Sequence, residues 1–377
     1  MNRPLVWIHK SGYAGPGGIG ISALYALLRS GKTALTADDT FQGNAWSGRF
    51  VGEIRAKVHR QTDRSVLLGL TAAQDLLQDA MHLDLSNTGI AMGTSRGPTG
   101  LWEKYYEAFD KQHPVSPLTS PLTTPGILAS AIAQHFRLDG NALTLSMTCS
   151  SSMLAILNGI AWLRSGLCSQ YIAGGAEAPL TPFTIAQASA LQLLSKYDVN
   201  GFPCLALAPN KIGNTMVLAE AAACILMQPH NADSNGVAIT GFGAAIETIP
   251  SASGISANGD ALHHAMQKAL RMSPGVIDVI CVHAPGTILG DQAEMAAISG
   301  VFGADSIPAV YPVKAFTGHT FGASGVMGVL AGIACLEEPL PMPAYLLGEG
   351  YTPVAKRVMV NAAGFGGQAV SLILEKE

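Results

Sequence analysis

One pattern recurs in this chain: an apolar strand-like run, a short turn, then a helix built of small residues. It occurs around Leu143 to Leu163, with Thr148-Cys149-Ser150-Ser151-Ser152 at the turn. It returns around Val310 to Leu336, with His319 near the place that Cys149 occupies. A second pair of segments echoes in the same way, Thr88 to Ser95 against Ile277 to Thr287. Strands that alternate with helices favour a sheet covered by helices, and no long low-complexity linker interrupts the alternation. The reading is therefore a layered α/β protein of two similar halves, residues 1–232 and 233–377, divided near Asn231 to Gly236.

The composition suits such a fold, because 48% hydrophobic and 13% charged residues in a chain of 377 give ample material for a deep core. A net charge of −4 argues against nucleic-acid binding and is compatible with a local basic patch for an acidic partner. The N-terminus shows no charged region followed by an apolar segment, and the apolar stretch Gly325 to Leu336 is shorter than the roughly 18 residues of a membrane span. A cytoplasmic protein is expected. The six cysteines lie far apart with no C-x-x-C pair, which fits reduced thiols and offers no metal site.

Cys149 stands between an apolar run and a helix start, where unpaired backbone N–H groups and the helix dipole favour thiolate over thiol. Free cysteine is also among the most buried residue types, so the position alone does not make it a nucleophile. Two histidines downstream change the reading. Each follows an apolar run and sits among glycines: His283-Ala284-Pro285-Gly286-Thr287 and Lys314-Ala315-Phe316-Thr317-Gly318-His319.

These three segments, in this order, resemble the active-site motifs of the beta-ketoacyl-acyl-carrier-protein synthases, ketosynthases of the thiolase superfamily. The resemblance extends to Gly93-Thr94-Ser95-Arg96-Gly97, Ala173-Gly174-Gly175-Ala176-Glu177 and Asn361-Ala362-Ala363-Gly364-Phe365-Gly366-Gly367, and so covers nearly the whole chain. It implies a thiolase-like duplicated α/β/α/β/α layered fold. It also implies a reaction in which Cys149 takes an acyl group and His283 and His319 stabilise the enolate left when a malonyl thioester loses carbon dioxide. The oxyanion donors would be the backbone N–H groups of Cys149 and Phe365, the Phe365 ring acting as a gate. Lys314, Asp291 and Glu294 match charged supporting residues, with a Lys314–Glu294 pair fixing polarity near the histidines. Gly364 and Gly366 would let the backbone approach a ligand closely. Histidine at the third motif, rather than asparagine, resembles the elongating ketosynthases. The resemblance implies an acyl-carrier protein as partner, a homodimer or a heterodimer with a chain-length-factor subunit, and no cofactor beyond the carrier's phosphopantetheine arm.

Some positions depart from the family pattern. Pro285 replaces one of two threonines that hold the pantetheine arm, leaving Thr287. Gly213-Asn214-Thr215-Met216 replaces a charged stretch, although Glu220 is kept, and Ala363 stands where fatty-acid enzymes often carry a second phenylalanine. These departures point to a specialised type II polyketide or aryl-polyene system, with Ala363 opening the acyl channel. Pro114, Pro117, Pro121 and Pro125 demand an extended, non-helical path over Asp110 to Gly126. Arg55, Lys57, Arg60 and Arg64 cluster at the start of an amphipathic helix and form a candidate carrier-docking patch, solvation being the competing reading.

Two alternatives remain open. One is a non-catalytic chain-length factor, which normally lacks the cysteine. The other is a dinucleotide-binding oxidoreductase, because Gly15-Pro16-Gly17-Gly18-Ile19-Gly20 fits G-x-G-x-x-G, with Asp38 and Asp39 about twenty residues on.

Overall fold

The computed structural model describes residues 6–50, 52, 62–78, 85–229, 236–249, 254–346 and 350–376. Ten strands carry the architecture. Five belong to the first part of the chain: β1 (Val6–Gly15), β2 (Thr88–Gly93), β3 (Ala142–Leu145), β4 (Gln170–Glu177) and β5 (Ala221–Gln228). Five follow: β6 (Val237–Ile246), β7 (Val279–Cys281), β8 (Ala309–Tyr311), β9 (Arg357–Gly364) and β10 (Gln368–Lys376). Among the helices between the first four strands of each set, three recur at matching places: α1 (Arg64–Leu77), α2 (Ile127–Phe136) and α3 (Ser151–Arg164), then α4 (Asp260–Met272), α5 (Ile288–Phe302) and α6 (Ser324–Glu337).

The two sets have the same strand order, β3-β2-β4-β5-β1 and β8-β7-β9-β10-β6, and meet where β1 pairs with β6. Within each set the three strands that end at the outer edge are mutually parallel. The duplicated order shows that the sequence echo reflects repeated topology. It places the ends of β3 and β8, and the helices α3 and α6 that follow them, in equivalent positions.

Burial explains the layers. The strand β4 is buried at every residue, as expected where helices cover both faces of a parallel sheet. On one outer face Val66, Leu70, Leu128 and Ile132 of α1 and α2 pack on Ile90, Met92 and Ile172. On the other, Leu262, Met266, Ala297 and Ile298 of α4 and α5 pack on Ile280, Met359 and Ile373. The central layer is α3 against α6, where Met153, Ile156 and Ile160 share one core with Val326, Val329 and Ile333. Gly325 lets these helices meet closely: a Cβ there would lie 2.4 Å from Met153 Cγ and 2.9 Å from Ser152 Oγ. Any side chain at Gly325 would push the helices apart at a cost of about 1–3 kcal/mol.

Two local readings are corrected. The proline-rich segment is not wholly extended, because Thr119–Thr123 forms a short helix. Pro121 sits in its first turn, where the missing N–H has no helical partner to lose. The glycine motif after β1 is not a phosphate-binding turn. Gly18–Ile19 folds back on Ala14–Gly15, and β1 runs antiparallel to both of its sheet neighbours, so the parallel βαβ unit of a dinucleotide site is missing there. Asp38 is held locally by Ser47 Oγ at 2.6 Å and Arg49 at 2.7 Å. Among the described residues no helix is long and apolar enough to cross a membrane.

Candidate active site

The chain leaves β3 and makes a strained turn into α3. Thr148 has φ of 48°, left-handed and uncommon for a β-branched residue. Its neighbours hold it there: Ser151 Oγ donates to Thr148 O at 2.5 Å, Ser150 Oγ donates to Met147 O at 2.8 Å, and Thr148 Oγ1 donates to Phe365 O at 3.3 Å. The last bond ties the cysteine turn to the β9–β10 hairpin. Only glycine permits this approach at residue 364, since a Cβ there would lie 1.9 Å from Thr148 Oγ1. Cys149 is thereby buried at the head of α3.

His319 occupies the equivalent turn after β8. Its N–H donates to Val217 O at 2.7 Å, its carbonyl accepts from Ala219 N at 3.0 Å, and its Nδ1 lies 2.8 Å from Ser324 Oγ at the start of α6. His283 follows β7, with its N–H and that of Ala284 donating to the two oxygens of Glu294 at 2.9 and 2.6 Å. Lys314 Nζ donates to His283 O and lies 3.5 Å from His283 Nδ1. With the lysine amine as donor to Nδ1, the N–H of that ring would fall on Nε2. The two imidazoles stand edge to face with centroids 5.5 Å apart.

A cavity of about 330 Å³ gathers these groups. Cys149, His283, His319, Thr287, Ala363, Gly364 and Phe365 all line it, with Phe365 at 41% exposure. Gly366 is not part of this wall; its φ of 89° turns the hairpin just beyond it. Asp291 lies behind the wall, accepting from Leu207 N at 2.7 Å and Gly286 N at 3.0 Å. Thr287 also caps α5, its Oγ1 accepting from Gly290 N at 3.2 Å.

Burial dominates the electrostatics. It pushes the Cys149 thiol up to about 12, with Lys314 pulling down and Glu177 pushing further up, so the resting sulfur is a thiol and not the thiolate expected from the helix start. Burial, and then the charge on Lys314, hold His283 and His319 well below the ordinary imidazole range. Both rings are therefore neutral near pH 7. Lys314 itself is pulled down by burial and supported by Glu294. These two residues make no direct ion pair; Lys314 bonds to His283, and Glu294 is occupied by backbone N–H groups and by Asn361 Nδ2 at 3.2 Å.

Several residues at the site had no role assigned from sequence. Lys211 forms a buried ion pair with Asp291 and donates to Leu205 O at 3.1 Å. Asn214 Oδ1 accepts from Ile288 N at 2.9 Å, while Thr215 Oγ1 donates to Gly286 O at 2.8 Å, so the divergent Gly213–Met216 stretch clamps the His283 loop. Glu177, at the end of β4, accepts from Thr94 Oγ1 and from the N–H groups of Ser95, Arg96 and Gly322. Burial raises it to about 7. Arg64 of the basic cluster binds Glu220 through two bonds of 2.6 Å. Arg55, Lys57 and Arg60 lie outside the described residues.

Comparison with known proteins agrees with this geometry. The beta-ketoacyl synthase N-terminal domain matches residues 8–232 and the beta-ketoacyl synthase C-terminal domain matches residues 232–345. The chain is 27% identical over 421 residues to 3-oxoacyl-[acyl-carrier-protein] synthase 2 of Vibrio cholerae, covering 100% of both chains. Among solved structures it resembles a type II polyketide ketosynthase in complex with its acyl-carrier protein, with a TM-score of 0.87, 18% identity and 100% of both chains covered. It also resembles a ketosynthase in complex with its chain length factor from Xenorhabdus doucetiae, with a TM-score of 0.85, 23% identity and 99% and 98% of the two chains covered. Both halves of the duplicated sheet thus answer to one family, and the chain belongs to the beta-ketoacyl synthases, acyltransferases that condense acyl thioesters in fatty-acid and polyketide biosynthesis.

Proposed function

We propose that this chain condenses an acyl primer held on Cys149 with a malonyl thioester on an acyl-carrier protein, giving a 3-ketoacyl thioester. The observation that carries the reading is that Cys149 and two neutral imidazoles line one small cavity. In the first step the sulfur of Cys149 attacks the primer thioester. A new S–C bond forms, and the pantetheine thiol leaves with the cysteine's proton. The N–H groups of Cys149 and Phe365, on turns tied together by the Thr148 bond, are the proposed oxyanion donors. In the second step the malonyl C–C bond breaks and carbon dioxide departs. His283 and His319 each donate a hydrogen bond to the enolate oxygen, a task for which neutral rings with N–H on Nε2 are suited. The enolate carbon then attacks the acyl carbon and Cys149 leaves.

Pro285, Ala363 and the Gly213–Met216 clamp support a specialised type II polyketide or aryl-polyene substrate over housekeeping fatty-acid synthesis. Partner and place follow from the same reading: an acyl-carrier protein, a homodimer or a heterodimer with a chain-length-factor subunit, in the cytoplasm. Residues 1–232 and 233–377 are taken as its two domains. Arg55, Lys57 and Arg60 are the proposed docking cations, Arg64 being engaged with Glu220. A purely non-catalytic role is disfavoured by the cysteine standing in the same cavity as both histidines.

Intact-mass analysis of the chain with acyl-carrier proteins tests the reading. One acyl group is expected per chain, and none on Cys149→Ala, with the fold checked by circular dichroism. Acyl label retained by that variant would sink the nucleophile assignment.

A further inference from the structure

The helix Pro182–Ala190 and the turn after it build one wall of the Cys149 cavity, through Thr184, Gln187, Ala188, Leu191 and Leu193. Met216 and Phe321 continue that apolar surface. Arg96 interrupts it. Its backbone is pinned by an N–H bond to Glu177 Oε1 at 3.1 Å, and its guanidinium donates to Gln187 Oε1. Arg96 also lines an adjoining groove of about 1380 Å³ walled by Trp102, Tyr106 and Phe183, so it stands where the two spaces meet.

Among the described residues the guanidinium has no anionic partner. Glu103 and Glu107 line the groove, but Glu103 accepts from Thr181 Oγ1 and Phe183 N, and Glu107 pairs with Lys111. Among the described residues Arg96 forms no ion pair, and the bond to Gln187 uses one of its five N–H donors. A plain alkyl chain laid along Arg96 strips water from the remaining donors and returns nothing, whereas a chain bearing an oxygen acceptor restores those bonds. Sites that hydrogen-bond a polar group reject the analogue lacking it far more strongly than apolar pockets reject a methylene.

We infer that Arg96, steadied by Gln187, reads an oxygen acceptor on the distal part of the acyl chain loaded on Cys149. The acceptor is a ketone or a carboxylate, and the inference rests on the acyl-cysteine reading proposed above. It makes Arg96 a specificity determinant that favours oxygenated acyl chains over saturated hydrocarbon ones.

The test measures loading of Cys149, by intact mass over time, from the N-acetylcysteamine thioesters of hexanoate, 5-oxohexanoate and adipate. In each case the S–C bond forms at Cys149, and N-acetylcysteamine leaves as the thiol with the cysteine's proton. At least one oxygenated thioester is expected to load about tenfold or more faster than hexanoyl. The faster of the two names the acceptor. Arg96→Leu, at an exposed position, is expected to bring that ratio close to one, and Gln187→Leu to lower it partway. Equal or faster loading of hexanoyl by the wild-type chain, or a preference that survives Arg96→Leu, overturns the inference while leaving the acyl-cysteine reading intact. No loading from any of the three overturns both.

Discussion

The turn that carries Cys149 and the turn that carries His319 hold equivalent places in the two halves of the sheet, yet opposite charges stand behind them. Glu177 lies behind the first and pushes the thiol further from ionisation. Lys314 lies beside the second and pushes both imidazoles further from protonation. Lys314 also acts electrostatically across the divide, since it draws the Cys149 thiol down. Duplication therefore supplies position, and the asymmetry of charge supplies division of labour. One lysine favours the reactive form of all three groups, the ionised sulfur and the neutral rings.

The largest test of this contrast removes the second side. His319→Ala and His283→Ala should each lower decarboxylation of malonyl-acyl-carrier protein by at least about a hundredfold, the scale of one lost oxyanion donor. Carbon dioxide release at near wild-type rates from either variant would make that ring structural and the contrast false.

A smaller effect is expected when the charge that spans the two sides is removed. A nearby cation disfavours a protonated imidazole, so its loss raises the imidazole pKa and protonates the rings at higher pH. Lys314→Met should move the acid limb of the decarboxylation profile upward in pH. Its alkylation by iodoacetamide at fixed pH should slow, because the thiol pKa rises as well. An unmoved acid limb would show that Lys314 acts only through its bond to His283 O.

The smallest effect concerns the shape of the shared space. Ala363 is buried and lines the cavity on the hairpin that the second half contributes. Ala363→Phe should fill part of that volume and shift loading severalfold toward shorter primers. An unchanged chain-length profile would place Ala363 outside the acyl path and remove a support for the polyketide or polyene reading.

The cysteine, both histidines and the Phe365 hairpin were legible because each belongs to a local motif at the end of an apolar run. The repeat was legible because its strands and helices recur in order. What escaped depends on distance along the chain. Lys211 meets Asp291 across 80 residues, and Glu177 meets Gly322 across 145, so neither pairing leaves a local pattern. The state of Cys149 was misread because the helix start is local and visible, whereas burial, which outweighs it, is a property of the assembled layers. Gly15 to Gly20 misled for the same reason. The glycines fit a phosphate turn, but antiparallel pairing with strands that lie far downstream decides their structure. Lys314 shows the finer limit: its presence at the site was expected, but its partner proved to be His283 and not Glu294.

The central strand β1 has a consequence for synthesis of the chain on the ribosome. It emerges well before its long partners, β5 and β6, which begin at Ala221 and Val237. At about 5–20 residues per second, the roughly 200 intervening residues take on the order of 10–40 seconds to appear. Throughout that interval the ten-residue strand has most of both edges unpaired, only Ala14 and Gly15 meeting the short Gly18–Ile19 return, and it is a template for pairing with other nascent chains. The seam that unites the two halves can therefore close only after Val237 to Ile246 has been translated, later than the pairing of β2, β3 and β4 within the first half.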